Sequence, residues 1–255
     1  MSKYKIGIDL GGTTMTAGLV DENYKIIGKT TWATRLPRPA EDLEKALADL
    51  CRTVAKENKV DFTDVKYVGI GTPGSVNFTT GFVGFNTNFG YYDWNLGPDL
   101  EAMLGCKVYV ENDANAAAYG EYIAGGAKGY KDAVVITLGT GIGTALIFNG
   151  ELIPNTELGH LELLKGKGDA EKYAASSIRE KLDMGYKKWA KRLTKYYSLM
   201  EFYFDPQLFV VGGGVSRVSE KFLPYIDIKT PIVAAKLHNE AGIIGAAYYA
   251  STKQK

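Results

Sequence analysis

The sequence predicts an α/β protein made of two similar domains around a cleft. Residues 6–21 and 134–149 each have the pattern of a strand, a glycine-rich loop and a second strand. Identical residues occupy corresponding positions of the two stretches: Ile8 and Ile136, Leu10 and Leu138, Gly11 and Gly139, Thr16 and Thr144, Ala17 and Ala145. Apolar runs that lead into helix-forming segments complete an α/β pattern. One such unit in each half of the chain predicts two domains whose glycine loops are opposed.

Chain length and spacing define the expected domains. A chain of 255 residues with 45% hydrophobic content can bury one large core or two small ones. No linker or low-complexity segment interrupts the chain, so we place the boundary inside a compact region near Asn112. We predict a first domain of residues 1–112 with a returning C-terminal helix, 240–255, and a second domain of residues 113–239.

Composition and charge narrow the function classes. The formal net charge of +1 disfavours a general nucleic-acid surface. Cys51 and Cys106 lie in apolar patterns without partners at metal spacing, as expected of reduced core residues. The chain enters a strand by Tyr4 without a signal segment, and no apolar run has the length that spans a bilayer. We therefore expect a soluble cytoplasmic protein with no membrane or nucleic-acid partner.

The first domain begins with an antiparallel meander. Its predicted strands are Ile6–Leu10, Met15–Val20 and Lys25–Thr34. The loop Gly11-Gly12-Thr13-Thr14 joins the first two strands. Glycine lets backbone N–H groups approach an anion, and the threonines add hydroxyl donors. An ordinary glycine hairpin turn is the alternative, which the recurrence of this unit disfavours.

Further elements of the first domain are a helix, a strand and two loops. Glu41–Asn58 has the period of an amphipathic helix that packs on a sheet. The strand Val65–Ile70 leads into a glycine-bearing loop, 71–77. We predict that Phe85–Trp94 is an aromatic, amide-rich loop. Such loops suit sugars, because aromatic rings lie on C–H faces while amides bind hydroxyls, but plain packing is the more common role of an aromatic loop.

A carboxylate is predicted at the end of a central strand. The run Val108–Val110 has the pattern of a buried strand, Glu111-Asn112-Asp113 ends it, and an alanine-rich helix follows. Open α/β sheets place ligands at this edge. Asp113 can therefore act as a base toward a substrate hydroxyl. The alternative is that Asp113 or Asn112 only caps the helix.

The second domain repeats the strand–loop–strand unit and adds a histidine. Strands are predicted over Ala133–Leu138 and Thr144–Phe148, with Gly139–Gly143 between them and a hairpin turn at Asn149-Gly150. Glu157 and His160 follow, three residues apart around a glycine, so their side chains can converge on a small polar ligand. The absence of a nearby cysteine or second histidine disfavours zinc.

The rest of the chain alternates helices and strands. Residues 171–204 are predicted to be helical with a break near Met184-Gly185, and Lys188, Arg192 and Lys195 share one helical face. Such a face is either a solvated surface or a track for a polyanion. A strand over Leu208–Val211, then Gly212-Gly213-Gly214 and a helix, predicts close approach of a ligand or of another backbone. A short strand over 231–235 and a closely packed helix over 239–250 complete the chain.

The motifs together resemble the ROK sugar kinases. They occur in the order of that family and span essentially the whole chain: Asp9-Leu10-Gly11-Gly12-Thr13, Glu111-Asn112-Asp113-Ala114-Asn115-Ala116-Ala117, Gly139-Thr140-Gly141-Ile142-Gly143, Glu157-Leu158-Gly159-His160 and Gly212-Gly213-Gly214-Val215-Ser216. This resemblance implies the actin-like, ribonuclease H-like ATPase fold and a homodimer. Within the family, the segment 154–162 and the run Trp189-Ala190-Lys191-Arg192-Leu193 are similar to the polyphosphate-dependent glucokinases.

The chain departs from the family pattern in two places. Most ROK proteins carry a cysteine-rich zinc motif after the Glu-x-Gly-His, and Gly166-Lys167-Gly168-Asp169 stands in its place here. We therefore expect no zinc. The chain also lacks the helix-turn-helix extension of ROK repressors, because the first strand begins at once, which disfavours a DNA-binding regulator.

The resemblance implies phosphoryl transfer from polyphosphate or ATP to the 6-hydroxyl of glucose, with Asp113 as the base. Asp9 is implied to help hold Mg²⁺, through water. The implied sugar ligands are Gly74, Asn112, Asp113, Glu157, His160 and Glu171. The implied donor-phosphate ligands are the backbone groups of Gly11, Gly12, Thr13, Thr14, Gly139, Thr140 and Gly141. Gly213 and Gly214 are implied to lie near a nucleotide base.

Three rival functions stay open on the sequence alone. One is an ATP-dependent kinase for glucose, mannose or an N-acetylated hexosamine. Another is a sugar-binding regulator without turnover, which the intact Asp113 and glycine loops disfavour. The third, an actin-like filament subunit, is disfavoured by the complete set of sugar motifs. The polyphosphate prediction depends on the resemblance and on the basic face of Lys188, Arg192 and Lys195.

Overall fold

A computed structural model describes residues 4–86, 89–153, 156–163 and 168–253 of the chain. The chain divides into two compact units, one formed by Met1–Ala124 with Asn239–Lys255 and the other by Gly125–His238. Two segments used in the sequence analysis are only partly described: residues 154–155 of the segment 154–162 and residues 166–167 of the run 166–169 lie outside the described residues.

The first unit is built around a five-stranded mixed sheet. Its elements in chain order are β1 (Tyr4–Leu10), β2 (Thr14–Val20), β3 (Ile26–Ala33), α1 (Ala40–Glu57), β4 (Val65–Thr72), β5 (Ser75–Asn77), β6 (Phe82–Asn86), β7 (Tyr91–Trp94), α2 (Leu96–Leu104), β8 (Lys107–Asn112) and α3 (Asp113–Ile123). A short 3₁₀ turn, Phe62–Asp64, precedes β4. The strand order is β3-β2-β1-β4-β8, with β1, β4 and β8 parallel. The carboxyl ends of those three strands therefore meet at one edge of the sheet.

The aromatic segment at 85–94 was predicted to be a loop, and that prediction is wrong. β5, β6 and β7 form a separate antiparallel sheet that includes most of this segment. Trp94 and Phe89 are buried in the core of the first unit, and Trp94 Nε1 donates to Glu44 Oε1 over 2.6 Å. Aromatic residues favour strands as well as loops, and here Phe85 and Tyr92 lie in strands although both are exposed, while the buried Phe89 lies in a turn.

The second unit repeats the arrangement. Its elements are β9 (Ala133–Leu138), β10 (Ile142–Phe148), β11 (Glu151–Ile153), α4 (Glu171–Ala174), α5 (Ser176–Lys181), α6 (Tyr186–Phe204), β12 (Leu208–Gly212) and β13 (Ile232–Ala234). The strand order is β11-β10-β9-β12-β13. β9 pairs with β10 antiparallel and with β12 parallel, as β1 pairs with β2 and β4. The internal repeat and the break near Met184-Gly185 are therefore confirmed.

The helix predicted after the glycines of 212–214 differs from the expectation. Gly214–Lys221 is a 3₁₀ segment with a non-helical residue, Val218, inside it. Gly213 has φ +81°, and a Cβ there would lie 2.5 Å from the carbonyl oxygen of Leu138. This glycine therefore serves the approach of another backbone, which was one of the two predicted alternatives.

The last helix returns to the first unit. α7 (Ala241–Thr252) lies against α3, β1 and β4. The contact is close because a Cβ on Gly245 would lie 1.6 Å from the carbonyl oxygen of Ala116. Since α3 packs on α7, the first unit extends through α3 to Ala124, whereas the predicted boundary was at Asn112.

Two further sequence expectations concern cysteines and membranes. Cys51 is buried, Cys106 is half-buried, and both are free thiols. None of the helices in the described ranges has the length and apolar character needed to cross a membrane.

Candidate active site

Parallel strands bring a cluster of polar side chains to one edge of the first unit. Asp9 at the end of β1 is in register with Gly71 of β4, which is in register with Glu111 of β8. Asp113 follows as the first residue of α3. A Cβ on Gly71 would lie 3.5 Å from the Asp113 Cα. The strand-end position predicted for Asp113 is confirmed.

Asn112 is the residue that caps α3. Its Oδ1 accepts from the amides of Ala114 and Asn115 at 3.0 and 3.3 Å, with extended backbone angles at Asn112 itself. Asp113 stands one position later, and its Oδ1 accepts from its neighbour Ala114 N at 2.8 Å. Because Asn112 supplies the cap, the second Asp113 oxygen is not needed to begin the helix.

Two carboxylates at this edge have raised pKa values. Burial raises the pKa of Asp113, and hydrogen bonds from the backbone oppose that shift. Burial also raises the pKa of Asp9, with a further contribution from the negative charge of Asp113. A Cβ on Gly242 would lie 3.1 Å from the Asp9 Cγ, so glycine at this position allows a close approach of α7 to this carboxylate. Such a desolvated pair of acids suits either proton transfer or a nearby cation.

Glu111 holds the backbone of this cluster in place. The sequence predicted no functional role for it. Its side chain is buried, accepts from Asn112 N at 2.8 Å and from Asn115 Nδ2 at 3.1 Å, and has a pKa raised mainly by burial. The sequence shows that Glu111 precedes Asn112, but nothing in its pattern indicates that the Glu111 side chain is buried and accepts these hydrogen bonds. Glu111 fixes the backbone from which Asn112 and Asp113 project.

Gly74 is held against the same edge by a buried amide. Its φ of +110° is unfavourable for residues with a side chain, and a Cβ there would lie 2.4 Å from Phe85 O. Asn112 Nδ2 lies 3.4 Å from Gly74 O, and the fully buried Asn86 donates to Pro73 O. The structure therefore brings Gly74 and Asn112 together, and Asn86 is an additional residue that fixes this loop.

The glycine loop of the first unit is a tight turn. Gly11 N donates to Thr14 O at 2.8 Å, and the buried Thr34 donates from its hydroxyl to Gly11 O at 2.7 Å. The side chains of Thr13 and Thr14 are exposed. The Gly11 amide is thus used within the loop, and the exposed threonine hydroxyls offer further donors there.

The matching loop of the second unit is in contact with a carboxylate. Gly139 N donates to Gly141 O at 3.0 Å, and Ile142 N lies 3.4 Å from Glu171 Oε2. A Cβ on Gly141 would lie 2.5 Å from that same carboxylate oxygen. Glycine at 141 therefore allows Glu171 to rest on the loop.

Glu171 also joins the loop to a histidine. Its Oε1 lies 3.8 Å from His160 Nδ1, and that nitrogen lies 3.1 Å from Asp169 Oδ2. The hydrogen bond with Asp169 is the largest cause of the raised pKa of His160, and the charges of Glu171 and Glu157 add to it. The same bond lowers the pKa of Asp169, assisted by Lys172 at 3.2 Å. The structure thus brings Glu171 and His160 together, with Glu157 within electrostatic reach.

Asp169 is the residue of this group that sequence reasoning missed. It lies nine positions from His160, and only the fold brings the two together. The ligand-type atoms of His160, Asp169 and Glu171 all lie within 4.8 Å of one another, so these three could hold a metal ion. Three such ligands do not make the closed four-ligand set of a structural zinc site.

A cavity of about 400 Å³ opens beside the Gly139 loop in the second unit. Gly214, which has open space where a Cβ would stand, is part of its wall, whereas Gly213 packs on Leu138. The other lining residues include Thr140, Ser177, Arg179 and Tyr186. Of the two residues predicted to lie near a nucleotide base, Gly214 lines the cavity, whereas Gly213 serves the packing of the backbone.

The predicted basic face lies on α6. Lys188 and Lys195 are exposed, and Arg192 is half-buried. Arg192 Nη1 donates to Tyr173 O at 2.9 Å, and its guanidinium lies 4.5 Å from the centre of the Tyr173 ring. Tyr173 belongs to α4, the helix that begins at Glu171. This contact fixes Arg192, while the two lysines stay solvated.

Comparison with known proteins decides the family. The sequence model of the ROK family matches residues 5–172. The chain belongs to the ROK family. It is 39% identical over 250 residues to a polyphosphate glucokinase of Mycobacterium tuberculosis (strain CDC 1551 / Oshkosh), with 96% of this chain and 90% of that protein covered.

Solved structures of ROK proteins share the fold. The inorganic polyphosphate/ATP-glucomannokinase of Arthrobacter sp. strain KM has a TM-score of 0.80 and 37% identity, with 98% of this chain and 99% of that chain covered. A ROK family glucokinase of Streptomyces griseus, in complex with glucose and AMPPNP, has a TM-score of 0.76 and 27% identity, with 96% and 98% covered. The predicted actin-like α/β fold is confirmed.

Proposed function

We propose that this ROK protein is a glucokinase that transfers a phosphoryl group from inorganic polyphosphate to the 6-hydroxyl of glucose. The observation that carries the proposal is the buried carboxylate of Asp113 at the start of a helix capped by Asn112, in a chain 39% identical to a polyphosphate glucokinase. Asn112 supplies the cap of α3, which supports a role for Asp113 other than capping the helix.

Asp113 acts as the general base. A carboxylate with a raised pKa accepts a proton from an attacking hydroxyl more readily than an ordinary aspartate does. The hydroxyl oxygen, once aligned, attacks the terminal phosphorus of the donor, and the phosphate chain leaves with the electron pair of the broken P–O bond. A positioned base of this type contributes about 10²–10⁴-fold to the rate.

Sugar ligands are proposed in each of the two units. Asn112 and the Gly74 backbone are proposed as hydroxyl ligands from the first unit, together with Asp113 itself. The second unit contributes Glu157, His160 and Glu171. A carboxylate accepts from two adjacent hydroxyls, and an imidazole can donate or accept, which suits a polyol.

The glycine loop of each unit is proposed to bind donor phosphate. Thr13 and Thr14 offer exposed hydroxyls in the first loop, and Thr140 does so in the second. The amides of Gly11 and Gly139 are used within their own turns, so the remaining backbone donors of Gly12, Thr13, Thr14, Thr140 and Gly141 carry this proposal.

Asp9 is proposed to help hold Mg²⁺ through water. Its carboxylate and that of Asp113 repel each other, and a nearby divalent cation would relieve that repulsion, so the residues present fit such an ion. When bound with the donor, Mg²⁺ supplies neutralisation of phosphate charge.

The basic face of α6 supports polyphosphate as the donor. Lys188, Arg192 and Lys195 offer a row of cations for a chain of negative charges. The ATP-dependent hexose or N-acetylhexosamine kinase is the second candidate, and it is favoured by the glucokinase similar to this chain that was solved with AMPPNP. A homodimeric state and a cytoplasmic location are proposed from the family resemblance.

The test is the glucose-dependent formation of glucose 6-phosphate in the presence of Mg²⁺, with long-chain polyphosphate compared with ATP. Turnover with polyphosphate supports the proposal. Turnover with ATP alone would indicate an ATP-dependent hexokinase and would contradict the binding of polyphosphate by α6. A folded protein that binds glucose but turns over with neither donor would instead be a regulator or act on another sugar.

A further inference from the structure

The cavity beside the Gly139 loop contains a cation that the proposed function does not use. Arg179 of α5 lines this cavity together with Thr140 and Gly214. The Arg179 side chain is 18% exposed, whereas that of the neighbouring Glu180 is 66% exposed. Among the residues that the structure describes, Arg179 is the one cation that lines this cavity. Its charge is therefore enclosed, while the carboxylate beside it is largely screened by solvent.

Arg179 is held in position by an aromatic ring. Its guanidinium lies 4.5 Å from the centre of the Tyr186 ring, at the start of α6. Lys221 lies over the same ring at 5.7 Å. A planar guanidinium stacked on an aromatic face is pre-organised, so little further ordering is needed when it binds an anion.

The hydrogen-bond donors of Arg179 are incompletely used. Its Nε is buried and has no hydrogen-bond partner in the described parts of the chain. Its Nη2 lies 3.3 Å from Glu180 Oε1, an adjacent and exposed carboxylate. A buried N–H of a cation without an acceptor is costly, and a bound anion would remove that cost.

Helix α5, which carries Arg179, is hydrogen-bonded to the Gly139 loop. Ser177 Oγ donates to Thr140 O at 2.6 Å, and Ser177 N donates to Gly139 O at 3.1 Å. Arg179 lies two residues beyond Ser177, so the guanidinium has a fixed relation to the loop that is proposed to bind the donor phosphates. A single donor chain can therefore contact the loop first and Arg179 next.

We infer that Arg179 binds a phosphate group of the donor beyond those held by the loop, and that it favours polyphosphate over ATP. This inference rests on the proposed function. Polyphosphate presents a charged phosphate at every position along the chain, whereas ATP places a neutral base and sugar beyond its three phosphates. A guanidinium fork pairs with two phosphate oxygens at once, which no neutral group can match.

The experiment compares Arg179→Gln and Arg179→Lys with a matched control, Lys181→Gln. Lys181 lies on the same short helix but is exposed and does not line the cavity, so its loss removes one positive charge without touching the site. We expect Arg179→Gln to raise the Michaelis constant for polyphosphate about tenfold or more, with a much smaller change for ATP and less than about a twofold change for glucose. Arg179→Lys keeps the charge but loses the fork and should fall between Arg179→Gln and the unmodified protein.

Binding of tripolyphosphate, measured by calorimetry in the absence of glucose, separates this inference from the proposed function. Weaker binding in Arg179→Gln with unchanged binding in Lys181→Gln supports the role of Arg179, even if glucose is not the acceptor. Glucose phosphorylation from polyphosphate that is indifferent to Arg179→Gln would overturn the inference and leave the proposed function intact. Equal losses for polyphosphate and ATP, or an equal loss in Lys181→Gln, would also overturn it. If Arg179→Gln does not fold, the same comparisons apply to Arg179→Lys.

Discussion

His160 Nδ1 lies 3.1 Å from Asp169 Oδ2, and this contact fixes the direction of a ring proposed to bind sugar. Asp169 is in turn 3.2 Å from Lys172, so the carboxylate is anchored from both sides. With Nδ1 directed toward Asp169, the other ring nitrogen is left for a ligand. Asp169 therefore acts as a positioning residue for His160.

Replacing Asp169 with asparagine should weaken glucose binding. We expect Asp169→Asn to raise the Michaelis constant for glucose about tenfold, which corresponds to about 1.4 kcal/mol, with a smaller change in kcat. Lys172→Gln is the matched control, because it removes the partner of Asp169 but leaves the bond to His160 in place. The Michaelis constant is measured by steady-state kinetics at varied glucose. An unchanged Michaelis constant for glucose in Asp169→Asn would contradict the positioning role of Asp169.

The same pair predicts a pH effect with a defined sign. Asp169, Glu171 and Glu157 raise the pKa of His160 above its ordinary value of 6.5, so the charged ring and its ion pair are fully present below that value and are lost as pH rises through the raised pKa. A change in the Michaelis constant for glucose should therefore occur above about pH 6.5 in the unmodified protein and shift to lower pH in Asp169→Asn. Identical pH profiles for the two proteins would contradict this.

Asp113 predicts a loss of activity in acid. A general base must be deprotonated, and burial raises the pKa of Asp113 above its ordinary value of 3.8. As pH falls through that raised pKa, kcat/KM for glucose should fall by about tenfold per pH unit. The profile is measured at saturating donor, with circular dichroism at each pH to exclude unfolding. An acid limb that follows the ordinary pKa of aspartate would argue against a buried base.

The basic face of α6 should distinguish the donors. Neutralising Lys188, Arg192 and Lys195 together should raise the Michaelis constant for polyphosphate about tenfold or more and that for ATP far less, because only a long polyanion reaches several cations. The effect should weaken as salt is added. Lys187→Gln with Lys191→Gln, two exposed lysines on the same helix, provides the control for general charge. Equal effects on the two donors would mean that the cations of α6 act only through general electrostatics and do not bind polyphosphate specifically.

Close packing beneath the site predicts a loss of stability. Alanine for glycine inside a helix normally stabilises by about 1 kcal/mol. At Gly245, however, the added Cβ would lie 1.6 Å from the Ala116 carbonyl oxygen, and backbone cannot rotate away as a side chain can. Overpacking costs about 1–3 kcal/mol or more, so we expect Gly245→Ala to lose about 2 kcal/mol and about 4–8 °C in Tm. Gly185→Ala, where no atom of the described residues lies within 4 Å of the added Cβ, should change stability by less than about 1 kcal/mol. Equal thermal stability of the two variants would contradict the packing of α7 on α3.

Much of the fold could be predicted because it follows local patterns. The paired strands of residues 6–20 and 133–148 have matched apolar positions and glycine turns, and both hairpins formed as expected. The segment 85–94 was misjudged because an aromatic run suits a strand and a loop alike. Residues 214–221 form a 3₁₀ segment instead of the predicted helix, and Gly213 before them packs closely on Leu138.

The candidate site was predictable only where its residues belong to motifs. Asp113, Gly139 and His160 stand in recognisable patterns, whereas Asp169 and Arg179 take their place through tertiary contacts that no local pattern encodes. The choice between Asn112 and Asp113 as the helix cap could not be made from the sequence, because both residue types cap helices well. The structure makes that choice, and the role proposed for Asp113 depends on it.

The most direct measurement is the turnover of Asp113→Asn with glucose and polyphosphate. Asparagine is nearly isosteric, and Asn112 still caps α3, so the fold, the melting temperature and glucose binding should be retained. We predict that kcat falls by about a hundredfold or more, since the base that accepts the hydroxyl proton is lost. A folded Asp113→Asn protein that binds glucose and turns over at a near-normal rate would contradict the assignment of Asp113 as the base.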